Sequence, residues 1–305
     1  MNTRHAQLVL AVVREGSFTA AAKSLFVTQP TLSQQIRQIE QQLGQPIFER
    51  STTPVSLTPA GQIYVQSARR FLQIEAQMNE SLAALSGRQT GLLRLGLPMQ
   101  RADELLPQVL PEFQSAYPDV RLQAVSARNG ALEAGLLGGE LDMALLFGEA
   151  ENEKLDYQLI ASDEVILVAG RKTALAQRVP SGSTVSLSAC EGEKFVLPAE
   201  NLPFARAYDE LLARAALSPF VAIRTDDSQC AKRVCAACSL VMLCPFITLL
   251  SDTPAMQQLA HYRLRDAVYT PLYMAHPKDM PLTPYAQALY TIMSNRFRAM
   301  TAYRL

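Results

Sequence analysis

Residues 18–61 constrain the fold of this chain most strongly, because short helical patterns alternate there with helix start and stop signals. Gly16 and Gly44 are suited to end helices. Ser17 and Thr28 are suited to begin them, since their hydroxyls can accept a hydrogen bond from a free backbone N–H. The apolar spacing predicts helices over about 4–14, 18–25 and 29–43, then strand-like segments at about 46–50 and 54–58. Two short helices around a tight turn, a third helix and a hairpin together predict a winged helix-turn-helix domain.

The third helix has one apolar and one polar face. Its apolar residues recur every three or four positions, which predicts a buried stripe of Leu32, Ile36, Ile39 and Leu43. The opposite face is rich in hydroxyl and amide groups, which can bond to base edges in the major groove or to phosphate. A polar helix face is also typical of simple solvation, but the wing that follows favours DNA. The predicted DNA contacts are Thr28, Gln29, Pro30, Thr31, Ser33, Gln34 and Arg37 on the helix and Arg50 and Ser51 on the wing.

The same stretch contains T-Q-P-T-L-S-x-Q-I, I-E-Q-Q-L-G, F-E-R and L-T-P-A-G in this order. Together these motifs resemble the N-terminal domain of LysR-type transcriptional regulators. The resemblance covers nearly all 305 residues and is sharpest over about the first 60. It implies a DNA-binding regulator that acts as a dimer or tetramer. It also implies a small-molecule effector, of unknown identity, bound between two α/β subdomains similar to those of periplasmic solute-binding proteins.

The distribution of charge is compatible with a nucleic-acid partner. The chain has 28 basic and 28 acidic residues and therefore no formal net charge. Residues 1–88 hold eight Lys and Arg against five Asp and Glu, a net charge of +3, which leaves −3 for the remainder. Because this asymmetry is small, we expect hydroxyl and backbone N–H groups to contact phosphates as well, and affinity to depend on several copies of the domain.

The sequence gives no sign of secretion or membrane insertion. The N-terminal segment lacks a small-residue cleavage pattern and belongs to the first helix. The longest apolar run, Leu240–Leu250, is interrupted by Pro245 and is too short to span a bilayer. The expected location is the cytoplasm, with double-stranded DNA, the effector, a second copy of the chain and RNA polymerase as candidate partners and no membrane contact.

A long helix is predicted over 59–85, where Thr58 and Pro59 form a start signal and Gly87 an end signal. At about 1.5 Å per residue it would reach roughly 40 Å, more than a small domain requires. A heptad-like apolar face, interrupted by Glu75, predicts a dimer seam, although packing on the helix's own domain is the alternative. The seam comprises Tyr64, Ala68, Phe71, Met78, Leu82 and Leu85.

From Gly91 onward strands alternate with helices, which predicts a mostly parallel sheet covered on both faces. The expected division is a DNA-binding domain at 1–58, a linker helix at 59–88 and an effector module at 89–305. Within the module, subdomain I would hold about 89–161 and 269–305, and subdomain II about 162–268. Ligands in open α/β folds bind beyond the carboxyl ends of strands. The effector contacts predicted there are Met99, Gln100, Arg101, Arg128, Asn129, Asn201, Thr225 and Phe246, and the arginines would suit a carboxylate.

Four of the five cysteines lie within 15 residues and leave an alternative open. Cys235-x-x-Cys238, with Cys230 and Cys244 nearby, could form a thiol- or metal-responsive site. Free cysteine also packs as a small apolar residue, and a helical C-x-x-C by itself is a poor zinc site, which favours core packing.

Motifs of known catalytic sites, such as G-x-S-x-G, H-E-x-x-H, the P-loop and G-x-G-x-x-G, are absent from the sequence. We therefore expect no enzymatic activity, no catalytic residue, no metal and no cofactor. A solute-binding protein is the other alternative, but it would have no need of the first 60 residues.

Overall fold

The computed structural model describes residues 1–49, 54–85, 89–98, 102–148, 150–200, 202, 205–250 and 254–302. The N-terminal elements are α1 (Thr3–Glu15), α2 (Phe18–Ser24), α3 (Gln29–Leu43), β1 (Phe48–Glu49), β2 (Ser56–Leu57) and the long α4 (Pro59–Leu85). They are followed by β3 (Gly91–Pro98), α5 (Ala102–Ala116), β4 (Val120–Ala127), α6 (Asn129–Leu137), β5 (Met143–Phe147) and β6 (Leu155–Gly170). The next are α7 (Ala174–Arg178), β7 (Thr184–Val185), β8 (Lys194–Pro198), α8 (Ala205–Arg214), β9 (Phe220–Thr225) and α9 (Ser228–Cys238). The last are β10 (Val241–Pro245), α10 (Pro254–Gln257), β11 (Leu259–Leu264), β12 (Tyr269–Pro277) and α11 (Pro284–Ala302).

The helix-turn-helix is built by the local signals in its sequence. Gly16 and Gly44 follow α1 and α3 in the left-handed conformation, and the Ser17 hydroxyl accepts a hydrogen bond from the Ala20 N–H. The predicted stripe of α3 is buried in one cluster with α1 and α2, with one exception. Leu43, at the last turn of the helix, is 44% exposed and does not belong to this core.

The wing and the start of α4 are joined by a close backbone approach. Strands β1 and β2 pair antiparallel, and the Thr58 N–H donates to the Ile47 carbonyl at 3.0 Å. A Cβ atom at Gly61 would lie 2.0 Å from the same carbonyl oxygen. Only glycine fits this crossing, which accounts for the glycine that ends the L-T-P-A-G motif.

Helix α4 is surrounded on two sides and exposed on a third. Tyr64, Val65 and Ala68 are buried in the helix-turn-helix core. The predicted seam is therefore wrong at Tyr64 and Ala68, because a helical period identifies an apolar face but not its partner. The exposed apolar residues form a separate stripe of Ile63, Phe71, Ile74, Met78 and Leu82.

The C-terminal module contains two groups of strands that share β6. The first group has the order β4-β3-β5-β12-β6, and the second continues as β6-β10-β8-β9, with β11 on the other side of β6 and β7 beside β11. Up to Glu164, β6 pairs with β12; from Val165 it pairs with β10. We call the first group with α5, α6 and α11 subdomain I and the second group with α7–α10 subdomain II.

Each subdomain has its own apolar core. In subdomain I, α5 and α11 cover β3, β5 and β12, and in subdomain II the core lies around the second half of β6. The chain passes between the subdomains twice, through the middle of β6 and just before β12, and the Val165 N–H donates to the Val268 carbonyl at 2.8 Å where the two crossings meet.

Among the residues that the structure describes, none of the helices combines the length and apolar character that a membrane crossing needs.

Candidate functional site

The N-terminal end of α3 presents a polar, exposed surface. Pro30 lies in its first turn, and the side chains of Thr28, Gln29, Thr31 and Gln34 are exposed. The Thr28 Oγ1 lies 2.8 Å from the Thr31 Oγ1. Most of the predicted DNA contacts on the helix are therefore brought together on one accessible end.

Two of these side chains are organised by a mutual hydrogen bond. The Gln29 Nε2 donates to the Ser33 Oγ at 2.9 Å, one helical turn apart. This bond holds the Gln29 amide against the Ser33 hydroxyl. Arg37 is exposed one turn further along the helix. The predicted wing contacts Arg50 and Ser51 lie outside the described residues.

In subdomain II the carboxyl ends of the parallel strands surround a small crevice of about 50 Å³. Its polar lining consists of Tyr208, Thr225, Asp227, Ser228, Lys232, Cys244 and Thr248. Its apolar lining consists of Val196, Leu197, Pro198, Leu202, Ala231, Met242, Leu243 and Pro245. The crevice combines hydroxyl groups, one ammonium, one carboxylate and apolar walls, which is the composition expected of a small-molecule site.

Lys232 is the basic group of this crevice, which Asp227 also lines, and it is only 1% exposed. It lies on the face of α9 that also buries Ala231 and Cys235. Asp227 begins the helix, and its Oδ1 accepts from the N–H groups of Gln229 at 2.8 Å and Cys230 at 3.0 Å. The lining of the crevice therefore holds one ammonium and one carboxylate beside its hydroxyl groups.

The predicted effector residues are only partly brought together. Thr225 lines the crevice, and its Oγ1 accepts from the Asp227 N–H at 3.1 Å. Phe246 begins the 3-10 turn after β10 and packs against an apolar cluster that includes Val196 and Met242, but it does not line the crevice itself. Met99, Gln100, Arg101 and Asn201 lie outside the described residues.

Arg128 and Asn129 lie just after the carboxyl end of β4 in subdomain I and are not among the residues that line the crevice. The Arg128 Nη2 is 2.8 Å from the Asp226 Oδ2, so this ion pair joins subdomain I to subdomain II. The Asn129 Nδ2 donates to the Phe147 carbonyl at 2.6 Å, while its Oδ1 is buried and has no hydrogen-bond partner among the described residues.

Sequence reasoning missed Lys232, Ser228 and Thr248. The available signal was the spacing of Ser228 and Lys232, four residues apart on the same face of α9 as Ala231 and Cys235. A lysine on an otherwise apolar helical face indicates a buried charge, which is rare outside paired or functional positions. The C-x-x-C motif drew attention to the cysteines of this helix instead.

The cysteines are arranged as packing residues. All five are free, and burial raises the pKa of Cys190, Cys235 and Cys244 to about 12. At neutral pH these three thiols are protonated and therefore poor nucleophiles. Cys238 is exposed and Cys230 half-buried. Within the described ranges, no cluster of three or more His, Cys, Asp and Glu side chains could hold a metal ion.

A polar network connects α4 to subdomain I. The Gln73 Nε2 donates to the Asp142 Oδ1 at 2.6 Å, and the Asp142 Oδ2 accepts from the Arg94 N–H at 2.7 Å. Burial raises the pKa of Asp142, against the opposing effect of these donors. Two turns further along α4 the Tyr285 hydroxyl donates to the Glu80 carboxylate. The helix that packs on the DNA-binding domain is thus also bonded to the effector module.

A winged helix-turn-helix joined through one long helix to a two-lobed module with a polar crevice defines a ligand-responsive, DNA-binding regulator. Two family models cover the chain: the bacterial regulatory helix-turn-helix protein, lysR family, matches residues 3–62, and the LysR substrate binding domain matches residues 86–298. The chain belongs to the LysR family of transcriptional regulators.

Several curated relatives and solved structures are similar over part or all of the chain. A probable RuBisCO transcriptional regulator of Gracilaria tenuistipitata var. liui is 33% identical over 165 residues, 53% of each chain. The uncharacterized HTH-type transcriptional regulator YcgK of Bacillus subtilis (strain 168) is 27% identical over 277 residues, 85% of each chain. The full-length crystal structure of CbnR with its target DNA has a TM-score of 0.68 and 22% identity, covering 97% of this chain and 100% of that one. Full-length BenM has a TM-score of 0.58 and 26% identity, covering 100% and 98%.

Proposed function

We propose that this chain controls transcription as a homodimer or a higher oligomer, reading DNA with the N-terminal end of α3 and responding to a small molecule bound between its subdomains. The observation that carries the proposal is the exposed polar cluster at the start of α3, held on a fully packed helix-turn-helix. The proposed division is 1–58 for DNA binding, 59–88 for the linker helix and 89–305 for effector binding. The site of action is the cytoplasm, and RNA polymerase is a further candidate partner.

Base recognition is assigned to Gln29, Thr31, Ser33 and Gln34. An amide can contact adenine edges, and a hydroxyl can contact either a base or a phosphate. Arg37, one turn further from the helix start, is assigned to phosphate, which fixes position without reading sequence. Arg50 and Ser51 of the wing are assigned to the backbone or minor groove.

Dimerisation is assigned to the exposed apolar stripe of α4. Five large apolar side chains on one helix face would be covered by the same stripe of a second copy, as in a two-helix seam. Such a dimer presents two copies of α3 to a DNA site with two-fold pseudo-symmetry, with half-sites about 34–36 Å apart or a multiple of it.

The effector is assigned to the space between the subdomains, with Lys232, Thr225 and Ser228 on one wall and Arg128 and Asn129 on the other. The linker helix is bonded to subdomain I by two hydrogen bonds, from Gln73 to Asp142 and from Tyr285 to Glu80. The crevice, in contrast, belongs to subdomain II. A ligand that binds one arrangement of the subdomains more tightly shifts the population toward it. The shift reaches the DNA-binding domains through the docking of α4 on subdomain I.

The experiment that tests the DNA assignment uses the purified full chain and an operator obtained from genome-wide occupancy in the host. The Gln29→Ala/Ser33→Ala variant is expected to lose about 100-fold or more in operator affinity, because each good base contact contributes about 1–3 kcal/mol and a dimer makes two sets. Affinity is measured by fluorescence anisotropy at one fixed salt concentration, since phosphate contacts make binding salt-dependent.

A matched control is available on the same helix. Gln41 and Gln42 are exposed at the opposite end of α3, so Gln41→Ala/Gln42→Ala removes similar groups away from the groove. This variant is expected to bind within about twofold of the unsubstituted chain, as ordinary surface changes do. Equal occupancy peaks for the unsubstituted chain and the Gln29/Ser33 variant would rule out α3 as the reading helix.

A further inference from the structure

Phe26 is the most exposed large apolar side chain of the described DNA-binding domain. It lies in the turn between α2 and α3 and is 97% exposed. Its neighbours Leu25 and Val27 both pack against the helix-turn-helix core. The turn therefore buries the residue on either side and holds the aromatic ring of Phe26 out in solvent.

The backbone of this turn is unfavourable for phenylalanine. Phe26 has a φ of 55°, in the left-handed region that bulky side chains rarely adopt and that Gly or Asn accepts more easily. The conformation is fixed by hydrogen bonds from the Phe26 N–H to the Lys23 carbonyl at 3.1 Å and from the Val27 N–H to the Ala22 carbonyl at 3.0 Å. Neither backbone preference nor packing within the domain accounts for a phenylalanine here, and such an outlier is a reason to look for function.

The position of Phe26 identifies the partner. It precedes Thr28, the first residue of the DNA-facing surface, by two positions, and Lys23 is exposed in the preceding turn. The aromatic ring thus continues the surface that α3 presents to the major groove, beside a cation suited to phosphate. The apolar group that DNA displays in that groove is the 5-methyl of thymine, which phenylalanine can contact.

We propose that Phe26 is a specificity-determining residue that packs on the 5-methyl group of a thymine in each half-site. The proposal rests on the proposed function and adds to it a base preference that the polar residues of α3 do not supply. The strain at Phe26 is then a property of the free protein that DNA binding offsets, because the exposed ring becomes buried only in the complex.

The first test is the Phe26→Asn variant of the full chain. Asparagine adopts the left-handed conformation more readily, so the melting temperature is expected to stay equal or rise by a few degrees, on the order of 2–4 °C. Operator affinity is expected to fall about fivefold per half-site, the loss for removing contact with one methyl group, and more for the dimer. A melting temperature that holds or rises while operator affinity falls would distinguish a DNA contact from a structural role, in which both would fall.

Phe220→Asn is the matched control, since Phe220 is a second exposed phenylalanine, on β9 of subdomain II. It makes the same chemical change far along the chain from α3 and is expected to leave operator affinity within about twofold.

The second test changes the DNA instead of the protein. Each operator thymine is replaced in turn by deoxyuridine, which removes only the 5-methyl group. At one thymine of each half-site, the replacement is expected to weaken binding of the unsubstituted chain about fivefold per half-site. The same replacement should leave binding of the Phe26→Asn variant unchanged, so the DNA change and the protein change are not additive.

Three results would overturn the proposal. Unchanged operator affinity of Phe26→Asn would mean that the ring does not touch DNA. If Phe26→Asn weakens operator binding and this loss of affinity adds to the loss caused by deoxyuridine at every position, the ring contacts the sugar-phosphate backbone instead of a thymine methyl group. A changed oligomeric state in light scattering would make Phe26 a contact between copies of the chain. In each case operator binding by the unsubstituted chain and its loss in Gln29→Ala/Ser33→Ala would leave the proposed function standing.

Discussion

The proposed DNA-reading surface and the proposed effector crevice are constructed in opposite ways. The reading surface uses side chains within about ten residues of one helix, nearly all exposed, on a frame set by local start and stop signals. The crevice collects residues from β8, α8, β9, α9 and β10, and its basic member Lys232 is buried. An exposed reading surface can change its sequence preference at little cost to folding, whereas a change in the crevice also alters the core of subdomain II.

The proposed reading surface and the effector module are joined by one helix, α4, so the largest expected effect comes from a change in α4. Ile74→Asp/Met78→Asp places two charges on the exposed stripe of α4. We expect a monomer in light scattering and a loss of operator affinity of about 100-fold or more, because the second DNA-binding domain no longer binds as part of the same particle. Thermal unfolding should remain cooperative, since both residues are exposed in the single chain.

Asn79→Asp provides the control on the same helix. Asn79 is exposed but lies off the apolar stripe, so the added charge should leave the dimer and its operator affinity unchanged. A dimer that survives Ile74→Asp/Met78→Asp would move the interface away from α4 and remove the reason for treating the two reading surfaces as one unit.

The second test asks whether the crevice acts on the DNA-binding domain at all. Lys232→Met removes the buried charge and keeps most of the volume. We expect operator affinity within about twofold of the unsubstituted chain, but at least a tenfold smaller range of expression from an operator–reporter fusion across growth conditions. Lys172→Met, on the exposed surface of subdomain II, is the control. A full response from Lys232→Met would exclude this crevice as the effector site.

The third test concerns the bonds between the two regions. Asp142→Ala leaves the Arg94 N–H and the Gln73 amide without their acceptor. We expect the free energy of unfolding to fall by about 1–3 kcal/mol, the usual cost of unpaired buried donors. Asp279→Ala, which breaks an exposed 3.0 Å ion pair between Arg70 and the same module, should cost less than about 1 kcal/mol. Denaturant titration of both variants measures the difference, and equal losses would mean that Asp142 has no special part in docking α4.

The sequence was sufficient to predict the helices that carry the proposed reading surface, because their determinants are local; the DNA contacts themselves stay a prediction. The spacing of Leu32, Ile36 and Ile39 defined the buried face of α3, and Ser17 and Thr28 defined where α2 and α3 begin. Leu43 fits the same spacing but is 44% exposed at the end of α3, because periodicity alone does not show whether a partner covers the last turn.

Prediction was weaker wherever the partner of a residue lies far away in the sequence. Tyr64 and Ala68 of α4 were assigned to a second copy of the chain, although they pack on α1–α3 of their own domain. The first half of β6 and the whole of β11 were not recognised as strands. Lys232 was missed because only the folded sheet brings β10 and β9 against α9, so no local pattern marks its surroundings as a crevice.

The length of α4 turns small rotations into movements on the scale of DNA. The helix has 27 residues, so at about 1.5 Å per residue it measures roughly 40 Å. A rotation of about 5° around its C-terminal end displaces the N-terminal end by roughly 3.5 Å, close to the 3.4 Å rise of one base pair. A tilt of subdomain I by a few degrees is therefore enough to move a reading helix out of register by one step of the double helix.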